Sequence, residues 1–434
     1  MKSRATARLP AMLDHFRQSH AQIAKRLKQQ WVSHHRRVSG RPPPSGLKIT
    51  VYRSFATVPL DHWNACNAKQ DVFLSSDYLT ALELAPPSKM QFRYVIFSKG
   101  ATPTAIAYFQ ILELGHHLHR TARDLLPATR KPALAALHDR LVGHLSHRVL
   151  VCGNALLSGE HGYAAAAADE RQVLHAIAEA AHAIKKAARF RNAATLVKDF
   201  ADRCDHPTDV FAQFGYHPVD AGPNLIVPIR ETWHTFDGYL KAMKSKYRRK
   251  VADAVKKGAK IQRRSLGLEE IIQRKSELYA LYAAVVDQAK FRPFFLSPDF
   301  FVELKRGLGD RFVCDAYLDG PTLVGFTTRI FNGREMEGYA HGVDYALNKS
   351  FELYQNFMLD DIRAGIAAGC TRINTGRTSI AMKSSVGAVP ETMKCYLRFS
   401  GKLSNQLIKP LLQLIKPEDE HCRRPFDDDE TPSE

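Results

Sequence analysis

The chain has 434 residues, 45% hydrophobic and 24% charged, enough for about two globular domains with real cores and unlike a disordered polypeptide. Its formal charge of +18 favours phosphate-bearing partners (nucleic acid, anionic lipid head groups or phosphorylated cofactors) without choosing among them. Seven scattered cysteines with no C-x-x-C pair argue against a disulfide framework or a Cys-based zinc site, and no apolar run is long enough for a transmembrane helix.

Residues 1–47 carry ten Lys or Arg against Asp14 and lack the apolar core of a secretory signal. A basic, loosely structured arm is expected there, although the same composition describes an organellar transit peptide. The arm ends in a linker, "GRPPPSG". A first unit is then expected over residues 48–230. In it "FRYVIFS" and "TAIAYFQILEL" form a hairpin turning at Lys99-Gly100, and "RVLVCG" is the next strand. The loop "SGEHGY", an Ala-rich helix at "ERQVLHAIAEAAHAIKKAARF" and a strand at "ATLVKDF" follow.

A basic segment comes next, "YLKAMKSKYRRKVADAVKKGAKI", with eleven Lys or Arg between Lys241 and Arg264 against the single acid Asp253. Leu240, Met243, Tyr247, Val251 and Val255 recur at helical spacing, which predicts one amphipathic helix over residues 239–258 capped by Gly258. Its other faces are nearly pure Lys and Arg, which bind phosphate without reading base sequence. A merely solvated face is the simplest alternative.

The second unit, residues 231–415, repeats the order of the first. "RFVCDAYLDG" and "PTLVGFTTRIF" form a hairpin at Asp319-Gly320, and "REMEGYAHGVD" is the strand after it. The helix "SFELYQNFMLDDIRAGIAAG" and the strands "TRINTG" and "TMKCYLRFS" complete it. Residues 416–434, with eight acids against three bases, read as an acidic disordered tail.

Hairpin, strand, loop, helix and strand thus occur twice, an α/β arrangement of two mixed twisted sheets with flanking helices joined by a basic helical segment. This order resembles two tandem GNAT acyltransferase units, as in the Fem-type (FemABX-like) transferases and the BioF2-like, CelD-like acyltransferases. "SKYRRKVADAVKKGAKI" and "GYAHGVDYALNKSFELYQNFMLDDIRAGIAAGCTRINTGRTSIAMKSSVGA" carry the resemblance most sharply. It implies transfer of an acyl or aminoacyl group to an amine, in many members on a cell-envelope or polysaccharide precursor. The scattered cysteines fit a reducing cytoplasm, the basic segments fit attachment at the inner face of the membrane, and a monomer is expected. The donor would be a phosphate-bearing co-substrate (acyl-CoA, carrier protein or, less favoured, aminoacyl-tRNA), with no tightly bound cofactor. One departure stands out: "DYALNKSFELY" has no glycine where acetyl-CoA-binding members carry [QR]-x-x-G-x-[GA]. The rival reading is a non-catalytic, degenerate GNAT pair that docks on RNA or anionic membrane through its basic surfaces.

His341 is a candidate general base, with Tyr339 and Asp344 beside it, because all three lie on or just after the strand expected to line the donor groove. Asn348, Lys349 and Ser350 could hold a pyrophosphate at a helix start, or Asn348 or Ser350 could simply cap that helix. Arg377 and Lys383 flank the turn after "INTG", where a cationic pair suits a phosphate or a developing oxyanion. Arg248 and Arg249 on the basic helix are candidate contacts to a phosphate-bearing substrate. His116, His117, His119, His144 and His147 lack the companion ligands of a metal site, and no metal is expected. No P-loop, G-x-S-x-G or H-E-x-x-H occurs.

Overall fold

A computed structural model describes residues 44–113, 148–166, 168–190, 194–201, 206–220, 222–289, 294–401, 405 and 421–427. The five-histidine cluster, nearly all of the basic arm and most of the acidic tail lie outside them. In the first half the chain forms β1 (Lys48–Tyr52), α1 (Leu60–Cys66), α2 (Ser76–Leu84), β2 (Met90–Lys99) and β3 (Thr102–Glu113). Then come β4 (Arg148–Cys152), β5 (Tyr163–Ala165), α3 (Glu170–Ala187), β6 (Ala194–Ala201), α4 (His206–Gln213), β7 (His217–Asp220) and β8 (Asn224–Pro228). The second half contains α5 (Phe236–Ala242), α6 (Ser245–Gly258), β9 (Gln262–Ser265), α7 (Leu268–Gln288), α8 (Phe300–Leu308), β10 (Phe312–Asp319) and β11 (Thr322–Asn332). It ends with β12 (Glu335–Val343), α9 (Tyr345–Phe351), α10 (Leu353–Ala367), β13 (Arg372–Asn374), α11 (Ile380–Ser385), β14 (Val389–Glu391) and β15 (Met393–Phe399).

The central strands β3 and β11 are buried along most of their length, as continuous apolar and β-branched runs require. Gly100 and Gly320, both with positive φ, turn the two hairpins where a side chain would be strained. Helix α3 buries Val173, Leu174, Ile177, Ala181 and Ile184, the amphipathic stripe legible in its sequence.

The two sheets exchange strands. The first has the order β1-β2-β3-β4-β6-β15-β7, with β5 pairing β3; the second is β14-β8-β13-β12-β11-β10-β9. "TMKCYLRFS" therefore forms a strand as expected, but in the sheet of the first unit, antiparallel to both β6 and β7. In return β8 enters the second sheet between β13 and β14. Residue 230 divides the sequence into repeats without dividing the sheets. A shared core of α1, α2, α7, α8 and facing strand residues joins the halves further.

Two expected helices are broken. The basic helix splits at Met243, whose backbone is extended (ψ 144°) and bridges Phe426, while Lys244 N–H donates to the Pro425 carbonyl. Met243 is buried against this C-terminal segment, so tertiary pairing overrode a continuous helical stripe. The helix expected from Ser350 splits into α9 and α10 at Glu352, which is left-handed at φ 49°.

The second sheet opens in a fork. Strands β12 and β13 run parallel for only three residue pairs, Glu335–Glu337 against Arg372–Asn374. Just beyond, β12 bulges: Arg329 pairs with Gly338 and Thr327 with His341, so Tyr339 and Ala340 together oppose Thr328. The Thr328 hydroxyl accepts from Ala340 N–H at 2.9 Å and donates to its carbonyl at 2.8 Å, closing the bulge on itself. Helix α10 is pinned over the fork by buried Arg329, which binds Asp361 at 2.9 Å and Asp315 from β10.

Candidate functional site

Where β12 and β13 part, they leave a cavity of 210 Å³ passing between them. One side is covered by Tyr354, Phe357, Met358 and Asp361 of α10, the other by Leu156, Leu157 and Ser158 from the first half of the chain. The latter loop is fixed across the sheets: the Ser158 hydroxyl donates to Asn224 Oδ1 at 2.6 Å, and its carbonyl accepts from Asn374 Nδ2 at 2.8 Å. The "SGEHG" loop thus closes the fork, and Gly159 N–H is spent on Asp199 at 3.0 Å.

Four of the sequence candidates meet here: Tyr339, His341, Arg377 and Lys383. Lys383 is 4% exposed, on α11, and its Nζ donates to the Thr375 carbonyl. Burial pulls its ammonium down to about 8. Lys383 is therefore not a solvated surface cation. Burial, with the Lys383 cation adding to it, pulls the His341 imidazole down to about 4, so this ring is neutral at physiological pH. It packs against the ring of Tyr354 at 5.2 Å. Tyr339 lends its hydroxyl to Tyr78 at 2.9 Å, and burial pushes its phenol well above the usual range. Arg377 reaches the wall but is ion-paired with buried Asp199 of β6, where Lys198 also binds. Its charge is largely spent across the sheets.

The remaining candidates lie apart from the cavity. Asp344 caps α9, accepting from Ala346 N–H at 2.9 Å. Asn348 Oδ1 takes Tyr354 N–H at 3.0 Å, so the chain itself occupies a donor that a pyrophosphate at this helix start would use. Lys349 and Ser350 are exposed within α9. Arg248 and Arg249 are exposed on α6 and bond the carbonyls of Lys241 (3.2 Å) and Ser245 (3.4 Å).

Two carboxyls that the sequence reading passed over complete the wall. Asp361, 5% exposed, lines the cavity; Oδ1 accepts from Arg329, and Oδ2 lies beside Gly338, 3.6 Å from where a Cβ there would stand. Burial pushes it up to about 6 against the pull of Arg329. Glu337 is 3% exposed; burial, then Glu335 and Asp71, push it well above the carboxylate range. Asp361 had a signal, because it falls four residues after Phe357 on the apolar stripe of α10. Among the described residues no group of three His, Cys, Asp or Glu is arranged to hold a metal, and no helix is long and apolar enough to cross a membrane.

No family model and no curated protein matches the chain. Among solved structures, FemX superposes with a TM-score of 0.52 at 10% identity, covering 83% of this chain and 99% of FemX. A tandem GNAT protein from the clavulanic acid biosynthesis pathway aligns at 0.46 and 12% identity, covering 82% and 99%. The C-terminal domain of a putative lysylphosphatidylglycerol synthetase from Agrobacterium fabrum aligns at 0.45 and 10%, covering 80% and 94%. The chain has the tandem-GNAT fold seen in FemX, as its order of elements led us to expect.

Proposed function

We propose that the protein transfers an acyl or aminoacyl group from a phosphate-bearing carrier to an amine in the cavity of the β12–β13 fork. The observation that carries this reading is Lys383, a cation held 4% exposed at the point where the two strands part. Isolated buried charge is costly, and a structural lysine would be better replaced by an apolar residue. An ammonium has three donors, and one goes to Thr375. The others suit the oxyanion that forms when an amine adds to an acyl carbonyl. The new C–N bond forms as the carrier's C–S or C–O bond breaks. Attack is by the neutral amine, so an acceptor arriving as ammonium first releases one proton to solvent; the proton that leaves nitrogen on addition passes to the Asp361 carboxylate and then to the departing thiol or hydroxyl. Neutral His341 accepts a hydrogen bond beside it. The exposed cations Lys246, Arg248, Arg249, Lys250, Lys256 and Lys260 of and after α6 fit a phosphate-bearing carrier or an anionic membrane surface.

A thermal-shift screen with CoA, acyl-CoAs and tRNA on wild type and Lys383→Met tests this. Stabilisation by an acyl donor, together with amide formation in mass spectra of mixtures with amines and loss of that product in the variant, is expected. A response to RNA alone that vanishes steeply with salt would favour the non-catalytic reading.

A further inference from the structure

A second cavity of 680 Å³ opens on the opposite side of the Glu337–Asn374 wall, between the two halves of the chain. Glu337 and Asn374 line both cavities. Its floor is acidic: His161 Nδ1 lies 2.8 Å from Asp71 Oδ2, and His161 Nε2 lies 4.0 Å from Glu337 Oε1. Asp71 is fixed by Phe73 N–H at 3.0 Å and Asn332 Nδ2 at 3.1 Å, and Phe73 packs on the His161 ring at 4.6 Å. Its mouth carries the exposed cations Lys69, Arg311 and Arg334, of which Arg311 touches Asp77 at 3.2 Å. Arg372 is already held by Glu391 at 2.8 Å, and Glu160 Oε1 accepts from Ala201 N–H.

We propose that this second cavity admits the acceptor, and that the acceptor is a small amine bearing a phosphate or carboxylate, its ammonium directed inward to Glu337 and its anion outward to Lys69, Arg311 and Arg334. The inference deepens the acyl-transfer reading and rests on it. A negative floor under a positive mouth matches a zwitterion end to end and repels one inserted the wrong way round. Placing the ammonium at Glu337 brings the nitrogen to the wall shared with the reaction cavity, so donor and acceptor approach from opposite faces of the fork.

The charge of Glu337 supports this placement. Burial, Glu335 and Asp71 favour its protonated form, whereas Arg372 and Asn374 oppose them; Tyr78 and His161 are its other titratable neighbours. An ammonium beside it supplies the missing positive charge, so docking expels the carboxyl proton, with His161 and Asp71 leading toward the open cavity.

The test is isothermal titration calorimetry on the full chain, in two buffers of different ionisation enthalpy. The probes are O-phosphoethanolamine, γ-aminobutyrate, ethanolamine and inorganic phosphate. At least one zwitterion should bind tenfold or more tighter than ethanolamine or phosphate, with net proton release. Comparing the phosphate-bearing with the carboxylate-bearing probe identifies the anion. Glu337→Gln should weaken binding at least tenfold and abolish the proton release, and Lys69→Ala with Arg334→Ala should reduce the zwitterion to the level of ethanolamine. The proton count is read on wild type, so it stands even if a variant folds poorly. Binding without proton release, zwitterions no tighter than phosphate alone, or no probe binding would each overturn the proposal. Acyl donors that still bind in a Lys383-dependent way would then leave the transfer reading intact, whereas zwitterion binding without any donor response would sink the transfer reading and keep the site.

Discussion

Replacing Lys383 by Met should make the protein more stable while removing transfer. Burial has moved the ammonium from 10.5 to about 8. At ~1.4 kcal/mol per pH unit, that displacement costs the folded state roughly 3 kcal/mol near pH 7. Methionine has similar length and no charge to desolvate. It also loses the hydrogen bond to the Thr375 carbonyl, which takes back ~1 kcal/mol. A net gain of about 2 kcal/mol is therefore expected at pH 7. The unfolded chain binds the extra proton between about 8 and 10.5, so wild-type stability rises with pH across that window. The advantage of the variant should shrink over the same window and be gone above it. Urea unfolding of both proteins from pH 6 to 10.5 measures this directly. A variant destabilised at pH 7, or a difference independent of pH, would show that Lys383 is a structural residue and remove the observation on which the proposed function stands.

Arg329→Met should cost about 3–5 kcal/mol at neutral pH, because buried Asp361 and half-buried Asp315 would lose their shared cation. The loss should diminish as acid protonates Asp361, whose carboxyl burial has pushed up to about 6, and urea unfolding at pH 4.5 and 7.5 checks it. A fragment of residues 1–230 should not fold alone, since it lacks β15 and leaves β6 and β7 unpaired along facing edges. Co-expression with residues 231–434 should restore a soluble complex; a monomeric fragment that unfolds cooperatively on its own would contradict the exchange.

The repeat itself was legible because local patterns generate it. Alternating apolar runs around Lys99-Gly100 and Asp319-Gly320 specify hairpins, and the stripe of α3 specifies a helix, whichever sheet receives them. Sheet membership was not legible. "TMKCYLRFS" has the same period whether it pairs within its own unit or with β6 and β7, and register is chosen by partners far away in sequence. The break at Met243 has the same origin: the helical stripe is present, but contact with Pro425 and Phe426 decides it.

The site divides along the same line. Sequence put Tyr339 and His341 on one strand and Arg377 and Lys383 about the turn after "INTG"; the fold brings the four to one cavity. Sequence could not show that Lys383 is buried and Arg377 neutralised, since both depend on what packs above them, and Asp199 lies 178 residues from Arg377. Asp71, His161 and Glu337 carry no common motif. Periodicity reports which face of an element is covered, whereas charge, protonation and cavity depend on which element covers it. The sequence by itself thus determined most of the elements and their duplicated order; only the tertiary structure decided the strand exchange, the break at Met243, the burial of Lys383 and the second cavity, because those arise from contacts between residues that no local pattern links.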